Sequence, residues 1–557
     1  MSLKKLRYVY DHVDTFEDYD HNDHVDNWKV QVTINEDIGK DNPDVLALND
    51  ELKDIVNRMR YVSYGEYYYS YDHNYFVDAW KKQLEIDKML WGGIEEAQDL
   101  LAKLEEIVNM MDYIYTGDWY YAILHNLFKD AWDIQMQLNE IPIVVAIIFE
   151  WRQWRKDETN NAVNLQQKGN LVSPTVKWRY NCVFGPRSTP AIADIDGDGD
   201  MEIMVGTYTS YGSAYLLIVL DHLGNLLWTV SGRTYSSPSV GDVNGDGFKE
   251  ILIGNEGQYI CCYDKDGNLL WTYDTNFRSP KCTLYDIDGD GELEVFTIYS
   301  LAPENWLVAL RGTDGSVKYH ADIEDDFYDY PPPPSVGDVN GDGNPEIIVP
   351  TKNTITCVSK DFAILWVYSA PTYNCYAPVL ADINKDGKLE IVFQCGNPSE
   401  ASYVIALDGN GNELWKINTN MIMPLQNGQQ GAPAIADIDG DGYPEIIIAL
   451  YSDVPLEANG QIWCIDRNGN VKWKTTLPKK VSFHPAIGDV DGDGDLEILT
   501  GCDDGKLYCL DKSGNVKWSF ETEAGYLRWG VALVDIDGDD NMEIVFSAYD
   551  KYLYVLG

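Results

Sequence analysis

Two hydrophobic rhythms divide this chain. Before residue 142, apolar positions recur at helical spacing: Leu52, Ile55, Val56 and Met59 return 52 residues later as Leu104, Ile107, Val108 and Met111. Residues spaced i, i+3, i+4, i+7 share one face of an α-helix. A second stripe, Phe76, Trp80 and Leu84, returns as Phe128, Trp132 and Met136. From residue 173 onward the apolar runs shorten to strand length. Pro190-Ala-Ile-Ala193, Ile203-Met-Val-Gly-Thr207, Tyr215-Leu-Leu-Ile-Val-Leu220 and Leu226-Leu-Trp228 follow one another, separated by loops rich in Asp, Gly and Asn. This quartet recurs eight times with a period of 44 to 55 residues. Four short antiparallel strands per repeat predict one propeller blade each.

The aromatic of the fourth strand recurs as Trp228, Trp271, Tyr319, Trp366, Trp415, Trp473 and Trp518, seven residues for eight repeats. After the eighth loop come only two strands, Glu543 to Ser547 and Tyr552 to Leu556. The missing partner is Thr175-Val-Lys-Trp178, which matches Asn470-Val-Lys-Trp473 and Asn515-Val-Lys-Trp518. An N-terminal strand therefore completes the last blade and removes an open sheet edge. The expected architecture is multidomain. All-α helical-hairpin repeats occupy 1–141, a connecting helix and polar linker 142–172, and an all-β eight-bladed propeller 173–557.

Between the first and second strand of every blade lies a nine-residue acidic loop. Positions 1, 3, 5, 7 and 9 are Asp194, Asp196, Asp198, Asp200 and Glu202 in the first copy, then Asp242, Asn244, Asp246, Phe248 and Glu250. The third and fourth copies read Asp286, Asp288, Asp290, Glu292, Glu294 and Asp338, Asn340, Asp342, Asn344, Glu346. The fifth and sixth read Asp382, Asn384, Asp386, Lys388, Glu390 and Asp437, Asp439, Asp441, Tyr443, Glu445. The last two read Asp489, Asp491, Asp493, Asp495, Glu497 and Asp535, Asp537, Asp539, Asn541, Glu543. Oxygen-bearing side chains on alternate residues, with a turn glycine at position 6, suit a hard cation such as Ca²⁺. Position 7 shares no side-chain chemistry, as expected where the backbone carbonyl is the ligand. Position 6 is Gly in seven copies and Asp540 in the eighth. Up to eight Ca²⁺, one per blade, are expected.

These loops also explain the charge. The net charge is -48, and 29 of the 32 residues at positions 1, 3, 5 and 9 are acidic. Such a balance argues against nucleic acid or an anionic membrane as partner. No apolar run approaches the length of a membrane span. The ten cysteines do not form a disulfide framework in a chain of this size. Cys262, Cys357, Cys464 and Cys509 occupy one repeat position and read as small buried apolar residues; the other six leave a disulfide open.

In the helical region the pattern His-Asn-x-x-x-Asp-x-Trp-x-x-Gln appears three times, at His21, His73 and His125, 52 residues apart. His and Asp five residues apart do not share a helix face, so helix capping and core packing are the expected roles. The first repeat lacks its upstream helix. This is expected of a fragment of a longer array, or of an end capped by another molecule, and self-assembly through these repeats follows. No signal-peptide core follows Met1-Ser-Leu-Lys-Lys-Leu-Arg7.

The eight loops resemble the FG-GAP repeats of integrin alpha-subunit propellers and related bacterial and archaeal surface proteins. That resemblance covers residues 173–557 and implies a calcium-binding, extracellular or cell-surface interaction protein. Two departures stand out: integrin propellers have seven blades, and their loops usually end in Asp where this chain has Glu. The Asp-x-x-Gly-Asn-x-Leu-Trp turn is also similar to the tryptophan-docking repeat of quinoprotein-like propellers.

The expected function is an adhesion or assembly module, not an enzyme, binding a glycan or protein on the face opposite the acidic loops. The expected ligand face includes Arg187, Arg233, Arg278, Arg528 and Trp529, with Tyr235, Tyr328, Tyr330, Tyr373, Tyr376, Gln426, Asn427 and His484 around them. The four arginines belong to blades 1, 2, 3 and 8, contiguous in a closed ring, and predict a basic arc unless nearby carboxylates such as Glu521 or Glu523 take their charge. The alternative is a glycan-active enzyme resembling rhamnogalacturonan lyases, which also use eight-bladed calcium-rich propellers. No general base with a convincing partner is evident in the sequence.

Overall fold

The computed structural model describes residues 162–557 apart from 209–213, 302–303, 328–330, 397–401, 422–430, 452–458, 482–483 and 540, and before them only Leu52, Ala79, Lys82 and Gln83. The helical repeats, Tyr328, Tyr330, Gln426, Asn427 and Asp540 lie outside the described residues. The chain divides into two compact units, Met1–Ile147 and Ile148–Gly557.

The described residues of the second unit form eight sheets, antiparallel throughout but for one added parallel strand. Their innermost strands are Ala191–Ala193, Ser239–Gly241, Thr283–Tyr285, Ser335–Gly337, Val379–Ala381, Ala434–Ala436, Ala486–Asp489 and Val531–Val534. Each neighbours the next, and the eighth neighbours the first, so the ring closes. Second and third strands are covered on both faces by adjacent blades. They read as continuous apolar runs, and Glu250–Gly254 and Glu346–Pro350 are buried throughout. Outer strands pack on one face only and alternate, as in Ile364–Ser369 and Val516–Glu521.

Strand β2, Val176–Asn181, pairs antiparallel with Tyr552–Leu556 and completes the eighth blade. Thr175 and Gly557 exchange backbone hydrogen bonds of 3.3 and 3.1 Å at the junction. The propeller is thus closed by an N-terminal strand.

Neighbouring blades are tied by their outer-strand tryptophans. The indole N–H of Trp178 donates to the carbonyl of His222, Trp228 to Lys265, Trp271 to Gly312, Trp366 to Gly409, Trp415 to Arg467 and Trp473 to Lys512. Each acceptor lies in the turn between the third and outer strands of the following blade. Gly224 shows why that turn needs glycine: its φ is +81°, and a Cβ there would lie 2.7 Å from the Trp178 ring. In blade 3, Tyr319 instead stacks on Phe362 at 5.2 Å. Trp518 faces the blade where the Thr175–Gly557 junction replaces the turn, and its indole N–H has no partner.

Part of the stretch expected as polar linker, 157–172, is a strand. Strand β1, Val163–Lys168, pairs in parallel with the inner strand Ala486–Asp489. It also neighbours the inner strands of blades 6 and 8, which places it inside the ring. The inner edge of a blade presents unpaired backbone groups, and β1 covers one of them. Its polar side chains do part of the bonding. Asn164 Nδ2 donates to the Leu533 carbonyl at 2.9 Å, and Gln167 Oε1 accepts from the Asp535 N–H at 2.9 Å. Ala162, Val163 and Leu171 are buried around it.

Candidate metal centres and the opposite face

The eight loops share one local geometry. In the first, Asp194 accepts from the backbone N–H of Gly197 at 2.7 Å and of Gly199 at 3.1 Å. Asp196 accepts from Asp198 N–H at 3.3 Å, and Asp198 from Asp200 N–H at 2.9 Å. The ninth residue is buried in every copy and accepts from the N–H of position 2, as Glu202 does from Ile195 at 3.0 Å. Its equivalents are Glu250, Glu294, Glu346, Glu390, Glu445, Glu497 and Glu543. The apolar position 2 anchors the loop from below: Ile195, Val243, Ile287, Val339, Ile383, Ile438, Val490 and Ile536 are all buried.

Backbone N–H groups hold the loop open and turn carboxylate oxygens toward one another. In five copies three acidic residues offer oxygens within 4.8 Å of each other: Asp194, Asp196, Glu202; Asp286, Asp288, Asp290; Asp437, Asp439, Glu445; Asp489, Asp491, Glu497; and Asp535, Asp537, Asp539. Burial, opposed in part by the Ile195 N–H and reinforced by the neighbouring carboxylates, pushes the Glu202 carboxyl up to about 8. Burial likewise lifts Glu250, Glu346, Glu390, Glu497 and Glu543 to about 7. An all-oxygen set around a buried carboxyl, which burial and neighbouring carboxylates hold back from ionising until a counter-charge is supplied, is donor chemistry that suits a hard divalent cation. Position 7 contributes no common side chain, and Phe248 and Tyr443 there are exposed.

Aligning the blades exposes a feature that sequence reading missed. The outer strand carries a β-bulge just before its aromatic residue in every blade. A bulge re-aims the extra side chain. That residue is Leu227, Leu270, Leu365 or Leu414 in blades 1, 2, 4 and 5, and Lys318, Lys472, Lys517 or Lys177 in blades 3, 6, 7 and 8. Each lysine enters the acidic loop of its own blade. Lys318 Nζ lies 2.9 Å from Asp288, 3.0 Å from Asp290 and 2.6 Å from Glu294. Lys177, from β2, reaches Asp537 at 2.9 Å and Glu543 at 2.6 Å. Lys517 reaches Asp491 at 2.5 Å and Glu497 at 3.0 Å, and Lys472 pairs with Asp439 and Glu445.

Position 3 follows the bulge residue. Every lysine blade has Asp there, and three of the four leucine blades have Asn. In those three the Asn side-chain amide replaces the ammonium group, donating to the ninth residue: Asn244 to Glu250 at 2.7 Å, Asn340 to Glu346 at 2.8 Å, Asn384 to Glu390 at 2.7 Å. Lys with Asp and Leu with Asn leave the same formal charge. The first blade combines Leu227 with Asp196, and there Lys249 of the next loop donates to the Asp194 carbonyl at 2.9 Å. In chelator, Lys318→Leu should cost about 3 kcal/mol, the usual penalty for stranding a buried charge. Adding Asp288→Asn should restore most of it. Urea unfolding measures both, and a double variant no more stable than the single one would refute the compensation.

On the face away from these loops, Arg187 is surrounded by aromatic rings. Its guanidinium carbon lies 4.8 Å from the Tyr549 ring centre, 5.3 Å from Tyr208, 5.6 Å from Tyr235 and 5.8 Å from Trp529. One guanidinium N–H donates to Tyr549 Oη at 2.7 Å. Tyr208 stacks on Tyr235 at 4.1 Å, and Trp529 on Tyr549 at 5.7 Å. Arg187 Nε and Trp529 Nε1 are buried donors without a partner. Arg233 is exposed and lies 5.8 Å from the Tyr208 ring; Arg278 is exposed. Arg528 pairs with Asp503 through two contacts of 2.8 and 2.6 Å. Glu523 is engaged by Arg179 and Glu521 by Lys506. Tyr376 and His484, expected on this face, are buried, whereas Tyr373 is exposed. Tyr208, the last residue of the second strand of blade 1, and Tyr549, in the turn between the second and third strands of blade 8, are additions to the residues expected from the sequence.

Comparison with known proteins agrees with this fold. The FG-GAP-like repeat matches residues 286–349 and 382–448, and the lambda-carrageenase beta-propeller domain matches residues 486–557. No curated protein sequence matches the chain. Among solved structures, the V. cholerae biofilm matrix protein Bap1 aligns over 69% of this chain and 90% of its own, with 15% identity and a TM-score of 0.52. A europium-containing methanol dehydrogenase aligns over 73% and 98%, with 12% identity and a TM-score of 0.51. The quinohemoprotein alcohol dehydrogenase of Comamonas testosteroni aligns over 73% and 80%, with 13% identity and a TM-score of 0.50. At such identities these likenesses concern the fold alone. Among the described residues no helix is long and apolar enough to cross a membrane. The chain carries FG-GAP-like repeats within an eight-bladed β-propeller.

Proposed function

We propose that this protein is an extracellular or cell-surface interaction module, stabilised by calcium in its acidic loops, that binds an anionic glycan or an acidic protein surface. The observation that carries the reading is the Arg187 cluster, an arginine among four aromatic rings on a chain of net charge -48. Aromatic faces pack against sugar rings, and a guanidinium forks onto carboxylate or sulfate oxygens. The unpartnered Arg187 Nε and Trp529 Nε1 supply donors for such a ligand. An extracellular adhesive role is compatible with the fold that this chain shares with a biofilm matrix protein. Replacing Arg187 and Arg233 together with Ala should weaken binding to an acidic polysaccharide roughly tenfold, or about 1.4 kcal/mol. Titration calorimetry measures this, with calcium-dependent melting as the control for folding. Equal affinity in the double variant would remove the cluster from the binding site.

A second reading, a glycan-active enzyme, is favoured by the match of residues 486–557 to the lambda-carrageenase propeller domain. Incubation with acidic polysaccharides separates the two readings. New reducing ends or ultraviolet-absorbing unsaturated products favour the enzyme, and binding without products favours the module.

A further inference from the structure

The described residues include all ten cysteines, and each is buried. Eight of them share no strand register with another cysteine, whereas Cys375 meets Cys395 in an isolated antiparallel bridge. The hydrogen bonds around them fix its type. Tyr376 N–H donates to the Gln394 carbonyl at 2.9 Å, and Gly396 N–H to the Asn374 carbonyl at 3.2 Å. Both bonds flank the pair, so Cys375 and Cys395 face each other at a non-hydrogen-bonded position. There the Cα atoms of opposite residues approach to about 4.5 Å and their side chains lie on the same face. A disulfide spans Cα separations of about 4.4–6.8 Å. Both residues are fully buried and belong to one apolar cluster with Phe393 and Ile405.

The other cysteines lack this arrangement. Cys261 and Cys262 are adjacent in one strand, where successive side chains point to opposite faces. Cys357, Cys464 and Cys509 lie opposite Trp366, Trp473 and Trp518.

We propose that Cys375 and Cys395 form a cross-strand disulfide that pins the crossover between blades 4 and 5 to the second strand of blade 5. The bond forms by thiol–disulfide exchange. One cysteine thiolate attacks a small-molecule or protein disulfide, and the second cysteine then displaces the mixed disulfide. Two thiols lose two protons and two electrons, and the oxidant is reduced to two thiols. Burial pushes the Cys395 thiol up to about 12 and raises Cys375 as well. The folded thiols are therefore poor nucleophiles, and the exchange belongs to folding, before the pair is covered.

The test is to refold the full chain with reduced and oxidised glutathione, unfold it in alkylating reagent without reductant, and digest it. The expected result is a peptide linking Cys375 to Cys395, with the other eight cysteines alkylated. A Cys375→Ala/Cys395→Ala variant should refold, show no linked peptide, and lose the reductant-dependent fall in melting temperature. Ten alkylated cysteines in the refolded chain, or a link between other cysteines, would overturn the proposal. The outcome is independent of any ligand on the opposite face.

Discussion

Stripping divalent cations with a chelator should lower the melting temperature of the propeller by roughly 10 °C or more. Five of the loops bring three acidic side chains within 4.8 Å of one another, and the native state alone brings them together. An ion bound only by the native state adds about 1.4 kcal/mol at ten times its Kd. Summed over four to eight loops this is about 6–11 kcal/mol, comparable with the whole stability of an ordinary domain. The effect should depend on pH, and its sign follows from the ninth residue. In the metal-free protein the carboxyls of Glu250, Glu346, Glu390, Glu497 and Glu543 titrate near 7, against 4.5 for the unperturbed group, because they are buried. Between those values the folded chain holds protons that the unfolded chain releases. Their contribution is full below about pH 4.5 and is lost as pH rises through 7. Chelated protein should therefore melt lower at pH 8 than at pH 5.5. With calcium the same carboxylates are ionised and paired, and the gap should close or reverse. Calorimetry at both pH values, with and without millimolar calcium, decides. Identical melting in chelator and calcium would end the structural-calcium reading.

What was legible in the sequence was whatever repeats within one blade. The acidic loops show themselves because position 1 must accept two backbone N–H groups and position 9 must reach back to position 2. No other residue types do this as well. The closing strand was legible because Thr175-Val-Lys-Trp178 copies a motif used elsewhere in the ring. Strand β1 was not, since it pairs with the inner edge of a blade, where Asn164 and Gln167 bond to backbone groups and the usual apolar alternation is unnecessary. The bulge lysines were hidden for another reason. A register shift cannot be seen in one strand, and the link between Lys318 and Asp288 appears only when the pairing is known. The Arg187 cluster joins Tyr208, Tyr235, Trp529 and Tyr549 from the first, second and eighth blades, a juxtaposition that ring closure creates and no local pattern announces.

Ring closure itself is open to three truncations. A variant beginning at residue 162 keeps both β1 and β2 and should melt as the propeller of the full chain does. One beginning at residue 173 loses β1. It uncovers the inner edge of Ala486–Asp489, removes the buried side chains of Ala162, Val163 and Leu171, and strands the Leu533 carbonyl and the Asp535 N–H. Burying one valine and one leucine is worth about 1.5–3 kcal/mol each, so this variant should fold but be less stable by about 4 kcal/mol. One beginning at residue 183 loses β2 as well. The outer edge of Tyr552–Leu556 is then bare, Lys177 no longer meets Asp537 and Glu543, and Trp178 leaves the turn of blade 1. A long unpaired edge on a broken ring is a template for association with other chains, so this variant should aggregate at concentrations where the second stays monomeric. Light scattering and urea unfolding distinguish the three. If the second and third behave alike, β2 does not close the ring. If the first and second have equal stability, β1 lies in the ring without holding it together, and the polar contacts of Asn164 and Gln167 merely replace those made with water.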